Sequence, residues 1–255
     1  MEQTESTATS TDRHFVAAEI TAAWPEVFPP GRLILPEFRH MTLLFLGNKK
    51  IPPLPEPSWK LPPIGILGEK WIFLPEETPR VVAAVPTFIA GEKELLDYHA
   101  QLAPKEKFLP HISVSRGPFD TKAWMEFTCH IPFFIRGVAL YKSLGHSNYE
   151  LLWEKKSLLP FEEIEHTADI AYIIRGENYH QLCMHALLAL SFTFPQFIDY
   201  LKKIPDVNSI ENIVKLLNQW IAEIDIREGI GLKAVSYHAT VEKKETLEWT
   251  MIVDV

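Results

Sequence analysis

Short apolar runs and alternating apolar and polar positions predict a β-rich first part of the chain. One segment differs, because Leu95, Tyr98 and Leu102 fall at helical spacing, which predicts a helix over Glu92–Leu102. The predicted strands, in chain order, are His14–Ile20, Arg39–Leu46, Arg80–Val85, His111–Ser115 and Val138–Lys142.

The remainder of the chain mixes helical and strand patterns. An i, i+3, i+4, i+7, i+11 stripe that starts at Ile210 predicts a helix over Ser209–Ile224, and Asn178–Phe194 is predicted to be another helix. Strands and helices alternate irregularly rather than as βαβ units, so the predicted fold class is α+β. The predicted strands here are Ile170–Ile174, Ala234–Lys243 and Glu248–Val253.

Prolines and charges divide the chain near residue 155. Seventeen of the 20 prolines lie at or before Pro132, and six of them fall in Pro52–Pro63, which predicts an extended surface loop or a linker. Residues 1–155 carry 16 Lys/Arg and 18 Asp/Glu, a net charge of −2, whereas residues 156–255 carry 9 and 15, a net charge of −6. We therefore predict one domain over residues 13–155 and a smaller one over residues 161–255.

Composition excludes several classes of protein. No apolar run approaches the roughly 20 residues that cross a bilayer, and residues 1–12 lack the pattern of a secretory signal. Cys129 and Cys183 cannot form a disulfide framework or a thiolate metal site unaided, so we expect a cytoplasmic protein. A net charge of −8 excludes a globally basic nucleic-acid coat but allows a local basic cleft.

Two tripeptides pair a histidine with a hydroxyl on a predicted strand. Because strand side chains alternate between faces, His40 and Thr42 share one face, and so do His111 and Ser113. Two imidazoles can accept and donate the protons of phosphoester cleavage, and hydroxyls can bind the phosphate oxygens. The structural alternative is strong for each tripeptide alone, since about one His-x-Ser/Thr is expected by chance and His238–Thr240 is a third match.

The order and flanks of these pairs resemble the two-histidine (2H) phosphoesterase superfamily, particularly its 2′-5′ RNA ligase-like branch. The resemblance covers roughly residues 13–155, through Arg13–Ile20, Arg39–Gly47, Leu109–Gly117 and the Leu-Tyr-x-Ser signature in Val138–Leu152. It implies a bilobal fold, with two antiparallel-sheet lobes and helices, in which each lobe gives one strand to a shared cleft. It also implies an enzyme that opens 2′,3′-cyclic phosphates or forms and reverses 2′-5′ RNA linkages without a cofactor.

The same resemblance implies roles for individual residues. His40 and His111 match the acid/base pair, in an order that the sequence leaves open, and Thr42 and Ser113 match the phosphate-binding positions. Arg116 matches a basic position after the second motif, with a solvated surface arginine as the alternative.

Acidic residues stand before a predicted strand and at the end of the chain. Asp169 in such a place is most often a turn former, and Asp254 would ordinarily be solvated. If the two meet, their carboxylates and the terminal Val255 make an oxygen-rich site for Ca²⁺ or Mg²⁺.

Residues 161–255 resemble archease, a cofactor of the tRNA-splicing RNA ligase. The resemblance implies metal ligands at Asp169, Asp254 and Val255 and a ligase-activating role for Lys233, whose alternative is an ordinary strand-edge charge. Only twelve residues separate Trp220 from Lys233, where the family has additional strands, so this domain is predicted to be shortened. The matching segments are Phe161–Ile170, Ala186–Leu190, Leu232–His238 and Val253–Val255.

The leading hypothesis is a cytoplasmic fusion of a metal-independent RNA-end phosphodiesterase with an archease-like ligase cofactor. Its expected partners are RNA ends with 2′,3′-cyclic phosphate or 2′-5′ linkages and an RNA ligase, with no membrane. Two alternatives stay open: a non-catalytic adaptor that binds RNA ends and recruits a ligase, and a phosphoesterase of small cyclic nucleotides with a stabilising remnant.

Overall fold

Two antiparallel sheets organise the chain in a computed structural model that describes residues 13–145, 148–166, 169–236, 241–243 and 245–255. The third His-x-Thr tripeptide, His238–Thr240, lies outside the described residues. The first sheet has ten described strands: β1 (Arg13–Ala22), β2 (Gly31–Leu33), β3 (His40–Gly47), β4 (Ile64–Leu67), β5 (Trp71–Leu74), β6 (Val81–Ala84), β7 (Thr87–Ala90), β8 (Ile112–Phe119), β9 (Ile131–Gly145) and β10 (Asn148–Lys156).

The first sheet runs in the order β5-β6-β8-β3-β1-β9-β4-β7, with β10 against β9 and β2 against β8. Strand β3, which begins at His40, and strand β8, which begins one residue after His111, are neighbours and pair at Met41 and Ile112. Both of these side chains are fully buried, so the opposite face of each strand is left for the histidines and hydroxyls. Strands β8, β6, β5 and β2 therefore lie on one side of this pair, and β3, β1, β9, β4, β7 and β10 lie on the other.

The second sheet follows after Lys156 and carries the remaining described strands. Its order is β11-β12-β15-β13, with β14 against β15. These strands are β11 (Phe161–Ile164), β12 (Ile170–Gly176), β13 (Ala234–Val235), β14 (Val241–Lys243) and β15 (Leu247–Asp254).

The described helices are α1 (Glu92–Leu102), α2 (Thr121–Glu126), α3 (Tyr179–Thr193) and α4 (Ile210–Glu228), with 3-10 turns at Pro36–Phe38 and Pro195–Tyr200. The predicted bounds of α1 are confirmed, and those of α3 are confirmed to within a residue. Helix α4 continues four residues past Ile224 and stops at Gly229, which has φ +66° and donates its N–H to the Asp225 carbonyl. None of the described helices is both long enough and apolar enough to cross a membrane.

The prediction of one continuous strand over Ala234–Lys243 is wrong. Val235 pairs with Val253 of β15, whereas Val241 pairs with Trp249, so the register shifts by two residues between the two segments. One regular ladder cannot hold both registers. Residues 237–240 of the predicted strand lie outside the described part of the chain.

Helix α3 packs between the two sheets. Every residue from Leu182 to Ser191 is buried, so this stretch of the helix is enclosed on all sides. Phe134 of β9 belongs to the same core as α3, and its ring centroid lies 5.8 Å from that of Phe192. The second sheet and its helices are thus packed against β9 of the first sheet.

Candidate active site on strands β3 and β8

The two histidine–hydroxyl pairs lie side by side. With Met41 opposite Ile112 in an antiparallel pair, counting one residue each way places His40 across from Ser113 and Thr42 across from His111. All four side chains are thus on the face opposite the buried pair. The result is an approximately two-fold arrangement in which each imidazole neighbours the other strand's hydroxyl.

Both imidazoles are held by the same kind of hydrogen bond. Nδ1 of His40 lies 2.9 Å from the Phe38 carbonyl oxygen, and Nδ1 of His111 lies 2.8 Å from the Leu109 carbonyl oxygen. A carbonyl can only accept, so each Nδ1 carries the proton and donates it. In the neutral ring, Nε2 is therefore the basic atom, which is the state needed for proton transfer to or from a substrate.

His40 is enclosed by aromatic rings. Its ring stacks on Phe15 with centroids 4.9 Å apart and meets the edge of Tyr149 at 5.2 Å. This burial lowers the pKa of His40 to about 4; the Phe38 carbonyl opposes the shift, whereas the charges of Arg116 and His111 add to it. At neutral pH His40 is consequently an uncharged imidazole that can accept a proton.

A cavity of about 210 Å³ opens in front of His40. Thr42, Ser113 and Arg116 line it together with His40. Four of the five residues to which the first resemblance assigns roles, all but His111, therefore line one cavity. His111 borders this group through its place opposite Thr42 and its electrostatic effect on His40. The arrangement supplies a proton acceptor, a second imidazole, two hydroxyls and a guanidinium around one small space.

Further residues of this cavity were missed by sequence reasoning. Arg13, Ser143 and Tyr149 lie in a row across three strands, because Arg13 pairs with Ser143 on β9 and Ser143 pairs with Tyr149 on β10. Ser143 belongs to the Leu-Tyr-x-Ser signature, which was the available signal for it. The positions of Arg13 and Tyr149 depend on strand pairing that no local pattern encodes.

A hydrogen-bonded group of polar and charged residues lies beside His40 on the same face of the sheet. Glu19 is 6% exposed, and its Oε1 accepts hydrogen bonds from Tyr141 at 2.7 Å and Arg136 at 2.9 Å. These three residues line a separate cavity of about 190 Å³ together with His40. Burial and the Glu19 carboxylate raise the pKa of Tyr141, so its hydroxyl stays protonated and keeps donating.

The acidic residues of the second sheet also lie near one another. Ile170 pairs with Val253 in an antiparallel ladder. The residue before Ile170, Asp169, is therefore placed across from the residue after Val253, Asp254, at the ends of β12 and β15. Nζ of Lys233 donates to the Val255 carbonyl oxygen at 2.5 Å, and the Lys233 backbone N–H donates to the Asp254 carbonyl.

The fit of this second cluster to a divalent cation is partial. Its carboxylates are of the right donor class, but an ammonium group already occupies one oxygen at the chain end. Among the described residues, no group of three or more His, Cys, Asp or Glu side chains is placed to hold a metal ion.

No family model matches this sequence, and no curated protein matches it. Among solved structures, it is similar to TT0787 of Thermus thermophilus, with 21% identity and a TM-score of 0.35 over 56% of this chain and 97% of that one. It is also similar to a phosphoesterase, with 19% identity and a TM-score of 0.37 over 58% of this chain and 98% of that one. Escherichia coli LigT complexed with phosphate gives 20% identity and a TM-score of 0.36 over 58% and 98%.

TM-scores this low do not establish a shared fold. These structural neighbours are phosphoesterase and LigT-like proteins over a little more than half of the chain. The archease-like character of residues 161–255 stays a prediction.

Proposed function

We propose that this protein is a metal-independent phosphodiesterase that opens 2′,3′-cyclic phosphate ends of RNA, with 2′-5′ linkages as a related substrate. The observation that supports this most strongly is the pairing of Met41 with Ile112. This pairing sets the two segments that carry the histidine–hydroxyl pairs beside each other, and the Nδ1 atom of each histidine donates a hydrogen bond to a backbone carbonyl. Such a pair of oriented imidazoles can carry out both proton transfers of phosphoester hydrolysis.

In the proposed reaction His40 is the base. Its pKa of about 4 leaves it neutral at physiological pH, so Nε2 can take a proton from the attacking water. The water oxygen bonds to phosphorus and the bond from phosphorus to the 3′ oxygen breaks. His111, in its protonated form, donates to that 3′ oxygen, which leaves a 2′-phosphate.

The hydroxyls and Arg116 act on the phosphate itself. Thr42 and Ser113 line the cavity beside His40 and can donate to the non-bridging oxygens, where negative charge builds in the transition state. Arg116 adds a positive charge at the same wall, and its influence on the pKa of His40 reflects that proximity.

The test is turnover of a nucleoside 2′,3′-cyclic phosphate by wild type, His40→Ala and His111→Ala. We expect each variant to lose about 100-fold or more in kcat, as is usual when a general acid or base is removed. His180→Ala, on the exposed surface of α3, is the matched control and should keep full activity. Activity should survive EDTA. A wild type without turnover, or full activity in either variant, contradicts the proposal.

We further propose that residues 161–255 serve as a shortened archease-like cofactor of an RNA ligase, with a divalent cation at Asp169, Asp254 and Val255. The proximity of Asp169 and Asp254 at the ends of β12 and β15 supports this site. A cation there would have to replace the Lys233 ammonium group at the Val255 oxygen. A bound cation would hold the chain end against β12, and Lys233 would then be available to the ligase.

Calorimetric titration with Ca²⁺ and Mg²⁺ tests the metal site. Asp169→Ala should weaken binding, whereas Asp199→Ala, an exposed residue near Tyr200, should not. Equal binding by wild type and Asp169→Ala removes the site. Addition of the chain to a purified RNA ligase tests the activator role, which requires an increase in multiple turnover.

A further inference from the structure

A second, larger cavity lies next to the one that contains His40. Its volume is about 530 Å³, and it shares Arg13, Arg116, Ser143 and Tyr149 with the smaller cavity, so the two form one continuous groove. Arg32 lines only the larger cavity. Three arginines thus line this space, and no Asp or Glu is among its described lining residues.

The backbone pairing sets two of these arginines against each other. Arg32 of β2 is the antiparallel partner of Arg116 of β8, and like charges directly across a strand pair repel. Within the described residues, none of the three arginines has a carboxylate at ion-pair distance, and Nε of Arg116 is buried without a hydrogen-bond partner. An anion bound between neighbouring guanidinium groups relieves such repulsion.

The chemistry of the groove favours a phosphate group as that anion. Guanidinium groups present planar pairs of N–H donors that match phosphate oxygens, and such charged hydrogen bonds are stronger than neutral ones. Asn148, Ser143 and Tyr149 add neutral polar groups at the same wall, and the half-exposed Leu33 offers an apolar flank.

We propose that this larger cavity is a second phosphate subsite, which takes a phosphate attached to the same nucleoside or to its 5′ neighbour when the cyclic phosphate lies between His40 and His111. This inference rests on the proposed function. It makes the preferred substrate an RNA end or a 5′-phosphorylated nucleotide, rather than a nucleoside cyclic phosphate with a single phosphate. Arg32 is the residue that discriminates, because it faces the second cavity alone.

Binding measurements separate this subsite from the catalytic proposal. Isothermal titration calorimetry at fixed, low ionic strength would compare adenosine 2′-phosphate with adenosine 2′,5′-bisphosphate, which differ only in the second phosphate. We expect wild type to bind the bisphosphate roughly tenfold more tightly, the effect of one added charged hydrogen-bond pair. Arg32→Gln should bring this ratio close to one and leave the affinity for the monophosphate unchanged. Arg227→Gln, on the exposed end of α4, is the control and should keep the ratio.

Each other outcome overturns the inference. Equal affinity of wild type for both ligands, or an equal loss of both in Arg32→Gln, excludes a second subsite, whatever the turnover result. Wild type that binds neither ligand excludes the subsite, and absence of turnover with the cyclic substrate then also excludes the proposed function. Turnover without a bisphosphate preference leaves the phosphodiesterase standing and removes only the subsite.

Discussion

Glu19 lies directly across from His40 in the pairing of β1 with β3. Cross-strand partners share a face of the sheet, so the buried carboxylate and the imidazole line the same small cavity beside the candidate site. Tyr141 and Arg136 fix Glu19 by hydrogen bonds to its Oε1. The base of the proposed reaction therefore has a charged, rigid support on its own sheet.

Glu19→Gln should lower the pKa of His40 further. The Glu19 carboxylate favours the protonated imidazole, and the amide removes that charge while preserving the side-chain shape. An NMR titration of the His40 ring would measure the shift against the His180 resonance, which should be unaffected. A rise in the His40 pKa in Glu19→Gln would show that the carboxylate does not act on this ring.

The rise of kcat/KM with pH at the acid end of the pH–rate profile should follow the loss of a proton from His40. A base must be unprotonated, so kcat/KM should rise with pH and level off above the His40 pKa of about 4. His40→Ala should lack this rise in its residual activity. If kcat/KM of His40→Ala still rises with pH over the same range, the titrating group is a different residue.

We expect Thr42 to contribute to catalysis through its hydroxyl group rather than through the shape of its side chain. Thr42→Val keeps the branched side chain but removes the donor, and we expect kcat to fall about 100-fold, as for other donors to a developing oxyanion. Thr42→Ser, which keeps the hydroxyl, should retain most of the activity. Similar kcat values for the Val and Ser variants would place Thr42 in the packing of β3 rather than in catalysis.

Ser113, across from His40, permits the same test on the other strand. Ser113→Ala should lower kcat with little change in stability, because the side chain is only partly buried. Ser113→Thr should restore activity, since it returns the hydroxyl. Activity measured in parallel with thermal unfolding separates the two effects.

Acid should destabilise the fold through His185, a fully buried residue of α3. Burial lowers its pKa to about 4, while its Nδ1 donates to the Arg175 carbonyl and its Nε2 has no hydrogen-bond partner among the described residues. The unfolded chain takes up a proton near pH 6.5 and the folded chain does not, so stability is complete above that pH and falls towards pH 4. The loss attributable to His185 is about 3 kcal/mol.

Urea unfolding at a series of pH values would measure this contribution. His185→Gln removes the titrating group and should flatten the acid slope, even if the variant is less stable at neutral pH. His180→Gln, in the exposed first turn of the same helix, should leave the slope as it is. An unchanged slope in His185→Gln would locate the acid sensitivity elsewhere.

Much of the local structure follows from the sequence pattern. The helix over Glu92–Leu102 has the predicted bounds, and the Ile213, Leu217 and Ile221 positions of the α4 stripe are buried as expected. The short strands β2 and β5 were not predicted, since neither alternates between buried and exposed positions: all three residues of β2 are exposed and all four of β5 are partly buried. The burial of α3 on all sides could not be predicted from its own sequence, because it depends on packing against the first sheet.

What the sequence by itself determined is which side chains share a face. His40 with Thr42, and His111 with Ser113, are set together by the two-residue repeat of a strand, which needs no knowledge of the rest of the chain. The tertiary structure alone decided that β3 and β8 are neighbours, that Arg32 faces Arg116, and that aromatic rings enclose His40 and lower its pKa. The reason is physical: side-chain direction is fixed by each residue's own backbone angles, whereas strand pairing and burial are set by how distant apolar segments pack into one core.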